Sequence, residues 1–204
     1  MVTKLFKVLF VIFVITVFPA KAKESFNGII KYSIDVQSLS EHLSLELLTQ
    51  TYGAETTVYY GQGLYRIDSE GGNGEWEIYR SDVNKQYLKM KSNPNIQVFD
   101  AAHENRKIKK FSSKDSDIKT LGRKTKFIEI TYADGSISRY WYDPNIYIDP
   151  TPFKNLKFAF LNKYWELARS PYLKHERVTS NSVVTYTATS IRETQVPLEM
   201  FEPR

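Results

Sequence analysis

The chain has 204 residues, no cysteine, and 28 Lys and Arg against 23 Asp and Glu, for a formal net charge of +5. The absence of cysteine excludes disulfide bonds and thiolate metal sites, so the folded chain depends on its core for stability. Three of the lysines and none of the acids fall in residues 1–22, which leaves +2 on the remainder. Such a small charge does not support general attraction to nucleic acid.

The N-terminal segment has the three parts of a secretory signal. Lys4 and Lys7 form a basic start, an uncharged apolar run covers residues 8–18, and Ala20-Lys21-Ala22 supplies a small-x-small cleavage site. About 11 apolar residues are fewer than the ~20 that a membrane-spanning helix needs, so a signal is preferred to an anchor. We therefore predict cleavage after Ala22, a periplasmic or extracellular location, and a single domain over residues 23–204.

The first half of this domain is predicted to form short antiparallel strands. Residues 28–36 alternate apolar and polar side chains, as in a half-buried strand. Ser38 to Glu41 has the pattern of a capping box, which with leucines at 39, 43 and 47 predicts a short helix ending near Gly53. Turn signals every ~8–12 residues predict an antiparallel meander. Its strands are predicted at 56–60, 64–68, around Trp76 and Ile78, 86–90 and 96–99.

A hairpin is predicted over residues 126–142. Asp134-Gly135 favours a two-residue type I′ turn, because both positions tolerate positive φ. This turn would pair Tyr132 with Ile137, Ile130 with Arg139, and Ile128 with Trp141. One face of the hairpin would then carry Ile128, Ile130, Tyr132, Ile137 and Trp141.

One strong helix is predicted from Thr151 to Arg169. Thr151 suits the N-cap and Pro152 the first helical position, while Ser170-Pro171 ends the helix. Apolar residues form two adjacent stripes at helical spacing, which are Phe153, Leu156, Phe160, Tyr164 and Leu167, and Phe158, Leu161, Trp165 and Ala168. So wide an apolar face requires a surface that wraps around it. Strands at 172–178 and 183–191 end the domain.

The polar residues suggest no enzyme. His42, His103 and His175 have no partner at metal-ligand spacing, so we interpret each as an ordinary surface or strand residue and expect no metal or cofactor. Glu75 and Glu77 share a strand face, but solvent-facing carboxylates are commoner than an acid–base pair. Neither a G-x-S-x-G elbow nor a phosphate-binding glycine loop occurs in the sequence, which leaves a hydrolase as the least favoured function.

A basic stretch covers residues 106–126, with nine Lys and Arg against two Asp. A solvated loop and strand edge is the preferred interpretation, since lysines discourage edge-to-edge pairing of sheets. Peripheral contact with anionic lipid headgroups, or contact with an acidic partner, is the alternative.

Several segments together resemble a known family. They are Gly28–Tyr32, Lys119–Lys124, Arg139–Pro144, Tyr186–Ile191 and Val196–Phe201. In this order they resemble small exported proteins of the Bacteroidota type that are similar to the lipoprotein carriers LolA and LolB, over most of residues 26–202. The resemblance implies a curved, incomplete antiparallel barrel closed by helices, with an apolar concave side that can hold acyl chains. LolB-type proteins are lipoproteins, and the lack of cysteine argues against an outer-membrane acceptor role here.

We therefore predict an α+β fold, mostly antiparallel β, in which a curved incomplete barrel packs around one or two helices. The predicted function is a non-enzymatic binding or carrier module for a lipid or lipidated protein. A structural or assembly partner of an envelope protein is the alternative. The residues predicted to line the ligand site are Tyr32, Ile34, Trp76, Ile128, Ile130, Tyr132, Ile137, Trp141, Phe160 and Tyr164.

Overall fold

Antiparallel β-structure dominates the fold. The computed structural model describes residues 23–204, and the predicted signal segment lies outside this range. Two α-helices, α1 (Leu45–Tyr52) and α2 (Leu161–Ala168), and three 3₁₀ segments (Thr151–Phe153, Phe158–Phe160, Leu198–Phe201) are found in the described chain. Its eleven strands are β1 (Gly28–Ser38), β2 (Glu55–Tyr60), β3 (Leu64–Glu70), β4 (Gly74–Arg80), β5 (Lys85–Met90), β6 (Gln97–Asp100), β7 (Ile108–Thr120), β8 (Arg123–Tyr132), β9 (Ile137–Tyr142), β10 (Tyr172–Val178) and β11 (Ser182–Glu193).

All eleven strands belong to one open sheet with the order β6-β5-β4-β3-β2-β1-β11-β10-β9-β8-β7. The first strand lies near the middle, antiparallel to both β2 and β11, so the two ends of the domain meet there. On either side the strands follow one another as a meander. The prediction of a mostly antiparallel β fold is confirmed.

Helix α1 begins later than the capping-box pattern predicts. Ser38 is the last residue of β1 and pairs with Ser182, so it is not available to cap a helix. Ser44 is the N-cap instead, and its hydroxyl accepts a hydrogen bond from the N–H of Leu47 at 3.1 Å. The predicted end at Gly53 is confirmed. Its φ is +77°, and a Cβ there would overlap the carbonyl oxygen of Glu70.

The predicted continuous helix over residues 151–169 is wrong. Only Leu161–Ala168 is α-helical, and two 3₁₀ segments precede it. Phe153 stacks on Trp165 with ring centroids 4.5 Å apart, whereas a continuous helix would separate two residues 12 positions apart by ~18 Å. Breaking the helix lets both rings enter the same core. Residues 151–168 are called the cover segment below.

The hairpin of β8 and β9 has a three-residue loop, not the two-residue loop predicted. The N–H of Tyr132 donates to the carbonyl oxygen of Ser136 at 2.9 Å, which leaves residues 133–135 as the loop. Gly135 has a φ of +81°, the left-handed conformation typical of the last position of such a loop. The predicted pairing was therefore wrong by one residue. The observed pairs are Thr131 with Ile137, Ile130 with Ser138, Ile128 with Tyr140, and Phe127 with Trp141.

The sheet curves around the cover segment. Phe153 packs on Tyr79 of β4 and Phe160 packs near Tyr132 of β8, with centroid distances of 5.8 and 6.4 Å. Seven strand intervals separate β4 from β8, about 34 Å in a flat sheet at ~4.8 Å per interval. One short segment therefore contacts two distant strands on the same face, which agrees with a sheet that curves around it. The face toward the cover segment is the concave face, and the opposite one is the convex face.

Strand β7 forms one edge of the sheet and pairs only with β8. Most of its residues are exposed, including the lysines of the basic stretch, which agrees with the strand-edge interpretation. No helix within residues 23–204 has the length and apolar character required to cross a bilayer.

Candidate functional site

A cavity of about 680 Å³ lies between the concave face and the cover segment. Strands from both halves of the sheet contribute to its wall, together with the end of α1 and part of the cover segment. Its apolar and aromatic wall includes Ile34, Val58, Tyr60, Ile67, Leu88, Tyr140, Phe158, Leu161, Tyr164, Trp165 and Tyr186. A volume of this size falls within the ~300–1,000 Å³ typical of small-molecule sites.

Tyrosine rings hold the cover segment against the sheet. Tyr164 lies 4.5 Å from Tyr140 of β9, and Trp165 lies 6.2 Å from Tyr60 of β2, measured between centroids. The hydroxyl of Tyr164 donates to the carbonyl oxygen of Ser170 at 2.7 Å, so this buried ring carries no unsatisfied polar atom. Helix α2 therefore anchors the cover segment on two strands that are not neighbours in the sheet, β9 and β2.

Glu77 is not the solvent-facing carboxylate that the sequence suggests. It lies on the concave face of β4 and lines the cavity, whereas Glu75 is exposed. Its Oε1 accepts hydrogen bonds from the Tyr65 hydroxyl (3.0 Å) and the Gln86 side-chain amide (3.2 Å). Burial raises the pKa of Glu77, and these two hydrogen bonds oppose the rise. The cavity thus contains one partly desolvated carboxyl group.

His175 is also not an ordinary strand residue. Its ring lies between Tyr140 and Tyr186 on the neighbouring strands, with centroid distances of 4.3 and 5.7 Å and nearly parallel planes. Its Nε2 is buried and has no hydrogen-bond partner in the described chain. Burial lowers the pKa of His175 to about 3, and the positive charge of Arg177 contributes.

This low pKa predicts a loss of stability in acid. A histidine in the unfolded chain titrates near 6.5, so between pH 6.5 and about 3 the unfolded chain binds a proton that the folded chain does not. The free energy of unfolding should therefore fall as the pH drops through this window, by at most ~1.4 kcal/mol per pH unit. Glu77, whose pKa is raised, acts in the opposite direction above pH 4.5.

Comparison of the native protein with His175→Phe isolates the histidine contribution. Phenylalanine can keep the stacking on both tyrosines but does not titrate. Urea unfolding from pH 7 to pH 4 should show a shallower acid loss in the variant. Parallel profiles for the two proteins would contradict the buried, neutral histidine.

Two arginines complete the polar part of the cavity wall. Arg177 follows His175 by two positions on β10 and has the same orientation toward the cavity. Arg106 lies 4.4 Å from the ring centroid of Tyr132 and forms an ion pair with Asp134 at 3.3 Å. Within residues 23–204, no carboxylate forms an ion pair with Arg177.

The structure places the predicted lining residues in different surroundings. Ile34 and Tyr164 line the cavity. Trp76 borders it, but its ring lies under Arg66 and packs with Ile78 and Phe201 in a second core, on the face of β4 opposite to Glu77. Phe160 is half-buried and packs against the main core beside the cavity. Four are buried in that core without lining the cavity, namely Tyr32, Ile128, Ile130 and Tyr132.

Ile137 and Trp141 lie on the convex face, so their predicted position was wrong. The one-residue register difference reverses the face of every residue on β9 relative to β8. Trp141 packs on Phe127 at 5.0 Å and under the Lys174 ammonium at 4.9 Å. Tyr140, assigned to the outer face by the predicted register, lines the cavity instead.

Sequence reasoning missed the polar residues of the cavity. A signal for them exists in β10, where Lys174, His175, Glu176 and Arg177 place polar side chains on both faces of a strand. A strand with no apolar face at its centre suggests that one face meets a polar cavity rather than a packed core. Among the described residues, no cluster of three or more His, Asp or Glu side chains has the proximity to hold a metal ion.

No protein-family model matches the chain, and no curated protein matches it significantly.

Proposed function

We propose that the protein is an exported, non-enzymatic carrier or binding module that holds the acyl chain of a lipid or lipidated protein. The observation that carries this proposal is the cavity of about 680 Å³ between the concave face and the cover segment. An acyl chain placed there gains roughly 0.8 kcal/mol for each CH₂ removed from water. In this proposal the sheet is the curved, incomplete barrel of a LolA-like protein, and a cleaved signal brings it to the periplasm or cell exterior.

The cover segment has the features of a part that can be displaced. Ala159 and Phe160 are consecutive non-glycine residues with positive φ values of 47° and 55°. Such conformations cost of order 1–3 kcal/mol each, which displacement of the segment would release. Two hydrogen bonds hold Ala159 in place. The Tyr132 hydroxyl donates to the Ala159 carbonyl oxygen, and the Ala159 N–H donates to Asn105 Oδ1, so displacement of the segment would break both.

The test measures binding of Nile red, a neutral dye that fluoresces in apolar surroundings. Ser69→Trp places a large ring into the cavity from β3, since Ser69 is part of its wall. Glu70→Trp places the same ring at the exposed end of the same strand. We expect the native protein and Glu70→Trp to bind the dye alike, and Ser69→Trp to bind at least about tenfold more weakly, or ~1.4 kcal/mol.

Absence of dye binding to the native protein would refute the carrier function. Native mass spectrometry of protein incubated with dodecanoate provides a second readout that does not depend on a dye. A protein that stays at its bare mass would lead to the same conclusion.

A second candidate function is docking to an envelope protein. Three leucines around α1 are exposed, Leu39 at 49%, Leu45 at 57% and Leu47 at 49%. These leucines lie within nine residues of the chain, and exposed apolar side chains can mark a protein-binding surface. Dye bound to these leucines would be insensitive to Ser69→Trp, so the same experiment separates the two functions.

A further inference from the structure

The charge balance of the cavity narrows the class of ligand. Arg106, Arg177 and Glu77 are the charged side chains that line it. Asp134 already pairs with Arg106, and Glu77 already accepts two hydrogen bonds from Tyr65 and Gln86. Arg177 is the remaining cation, without a carboxylate partner in the described range. Arg177 is half-buried, and an anionic group bound beside it would form charge-assisted hydrogen bonds with its guanidinium.

The register of β10 places this guanidinium in the cavity. Arg177 pairs with Ser138 of β9 on one side and with Val184 of β11 on the other. Glu176, the preceding residue, bonds Arg139 at 2.7 Å, and Arg139 also bonds Glu129. Alternation along the strand therefore directs Glu176 to the convex face and Arg177 to the concave face. The convex carboxylates are thus separated from Arg177 by the sheet.

The charge of Arg177 acts on two neighbouring side chains, His175 and Glu77. The positive charge of Arg177 contributes to the lowered pKa of His175, and it opposes the rise that burial causes in the pKa of Glu77. Both residues line the cavity. The guanidinium is thus close enough to act on the polar group of a molecule bound between them.

We propose that the cavity binds a single-chain amphiphile with a carboxylate head, that is, a long-chain fatty acid, whose carboxylate pairs with Arg177 while its chain lies against the aromatic wall. This inference rests on the proposed function of acyl-chain binding. A planar carboxylate accepts two parallel hydrogen bonds from a guanidinium, a match that an alcohol or an amine does not offer. The Glu77 carboxyl lines the same cavity, and a negative charge there would repel a phosphate dianion more strongly than a carboxylate monoanion.

The experiment compares head groups on one chain length. Dodecanoate, dodecanol, dodecyl phosphate and dodecylammonium, each below its critical micelle concentration, compete with Nile red for the native protein. A charge-assisted hydrogen bond favours dodecanoate over dodecanol by at least about tenfold, and dodecylammonium should compete most weakly. This comparison needs no variant, so it does not depend on the folding of an altered chain.

Arg177→Gln then tests the assigned residue. The substitution should lower the apparent affinity for dodecanoate at least about tenfold and change that for dodecanol by no more than about twofold, because only the head-group contact is lost. Arg192→Gln, at an exposed position of β11, is the control with the same change in net charge. This control should leave the apparent affinities for dodecanoate and dodecanol unchanged.

The outcomes are distinguishable. Equal competition by dodecanoate and dodecanol overturns the carboxylate inference but leaves acyl-chain binding in place. Stronger competition by dodecyl phosphate than by dodecanoate overturns it in favour of a phospholipid-type head. If Nile red does not bind, or none of the four chains displaces it, the proposed function itself fails.

Discussion

Replacing Tyr164 with alanine is expected to lower the free energy of unfolding by about 3–5 kcal/mol, the range for a large buried aromatic residue. Tyr164 is 0% exposed, and its ring packs on those of Tyr140, Tyr142, Tyr172 and Trp165. The substitution also leaves the Ser170 carbonyl oxygen without the Tyr164 hydroxyl that donates to it. Urea unfolding followed by circular dichroism measures the change.

Leu167→Ala is the matched control on the same helix. Leu167 is 49% exposed, although the continuous-helix pattern places it in the same apolar stripe as Tyr164. Its replacement should cost less than about 1 kcal/mol, because little apolar surface is lost from the core. Similar losses for the two variants would contradict the orientation of α2, in which Tyr164 is buried and Leu167 is exposed.

Ile130→Ala is expected to cost about 2–5 kcal/mol, whereas Ile137→Ala should cost less than about 1.5 kcal/mol. Ile130 is 0% exposed and belongs to the main core. Ile137 pairs with Thr131 on the convex face and is only half-buried. The same chemical change on two adjacent strands therefore tests the register of the hairpin.

The register with a two-residue turn makes a different prediction. In that register both isoleucines would share the core face, and both substitutions would be costly. Comparable losses in urea unfolding would support that register over the observed one. The result also matters for the site, because the same register brings Tyr140 and Ser138 to the cavity.

The two core predictions and the binding experiments depend on the same geometry. Tyr164 anchors the cover segment on β9, and the cavity lies beside that anchor. Tyr164 also lines the cavity, so its loss should weaken ligand binding both by destabilising the fold and by removing a wall contact. Variants that change a single wall position, such as Ser69→Trp, are therefore better probes of function than variants in the ring cluster.

Local sequence patterns were sufficient for most strands. In β1 the alternation of Ile30 and Tyr32 with Lys31 predicted a strand because apolar side chains on one face must leave water together. Strand β10 was predicted with the bounds that it has in the structure. The predicted turn signals likewise separated β2, β3 and β4.

Other features were decided by contacts between distant residues. Helical spacing over residues 151–169 fits a continuous helix and an interrupted segment equally well, and the stacking of Phe153 on Trp165 selects the interrupted one. The loop length after β8 depends on whether Ala133 joins the turn, and the Asp134-Gly135 pair is compatible with both lengths. Each choice changes which side chains reach the core.

By itself, the sequence determined an antiparallel β-rich chain with a strongly apolar segment near its end, because strand and turn preferences act over a few residues. Only the tertiary structure decided that Glu77, His175 and Arg177 share a cavity with aromatic rings. These three residues come from β4 and β10, and curvature of the sheet is what brings their side chains to one space. The pairing of all eleven strands into one sheet and the contacts of the cover segment with that sheet join residues far apart in the sequence, which no local pattern encodes.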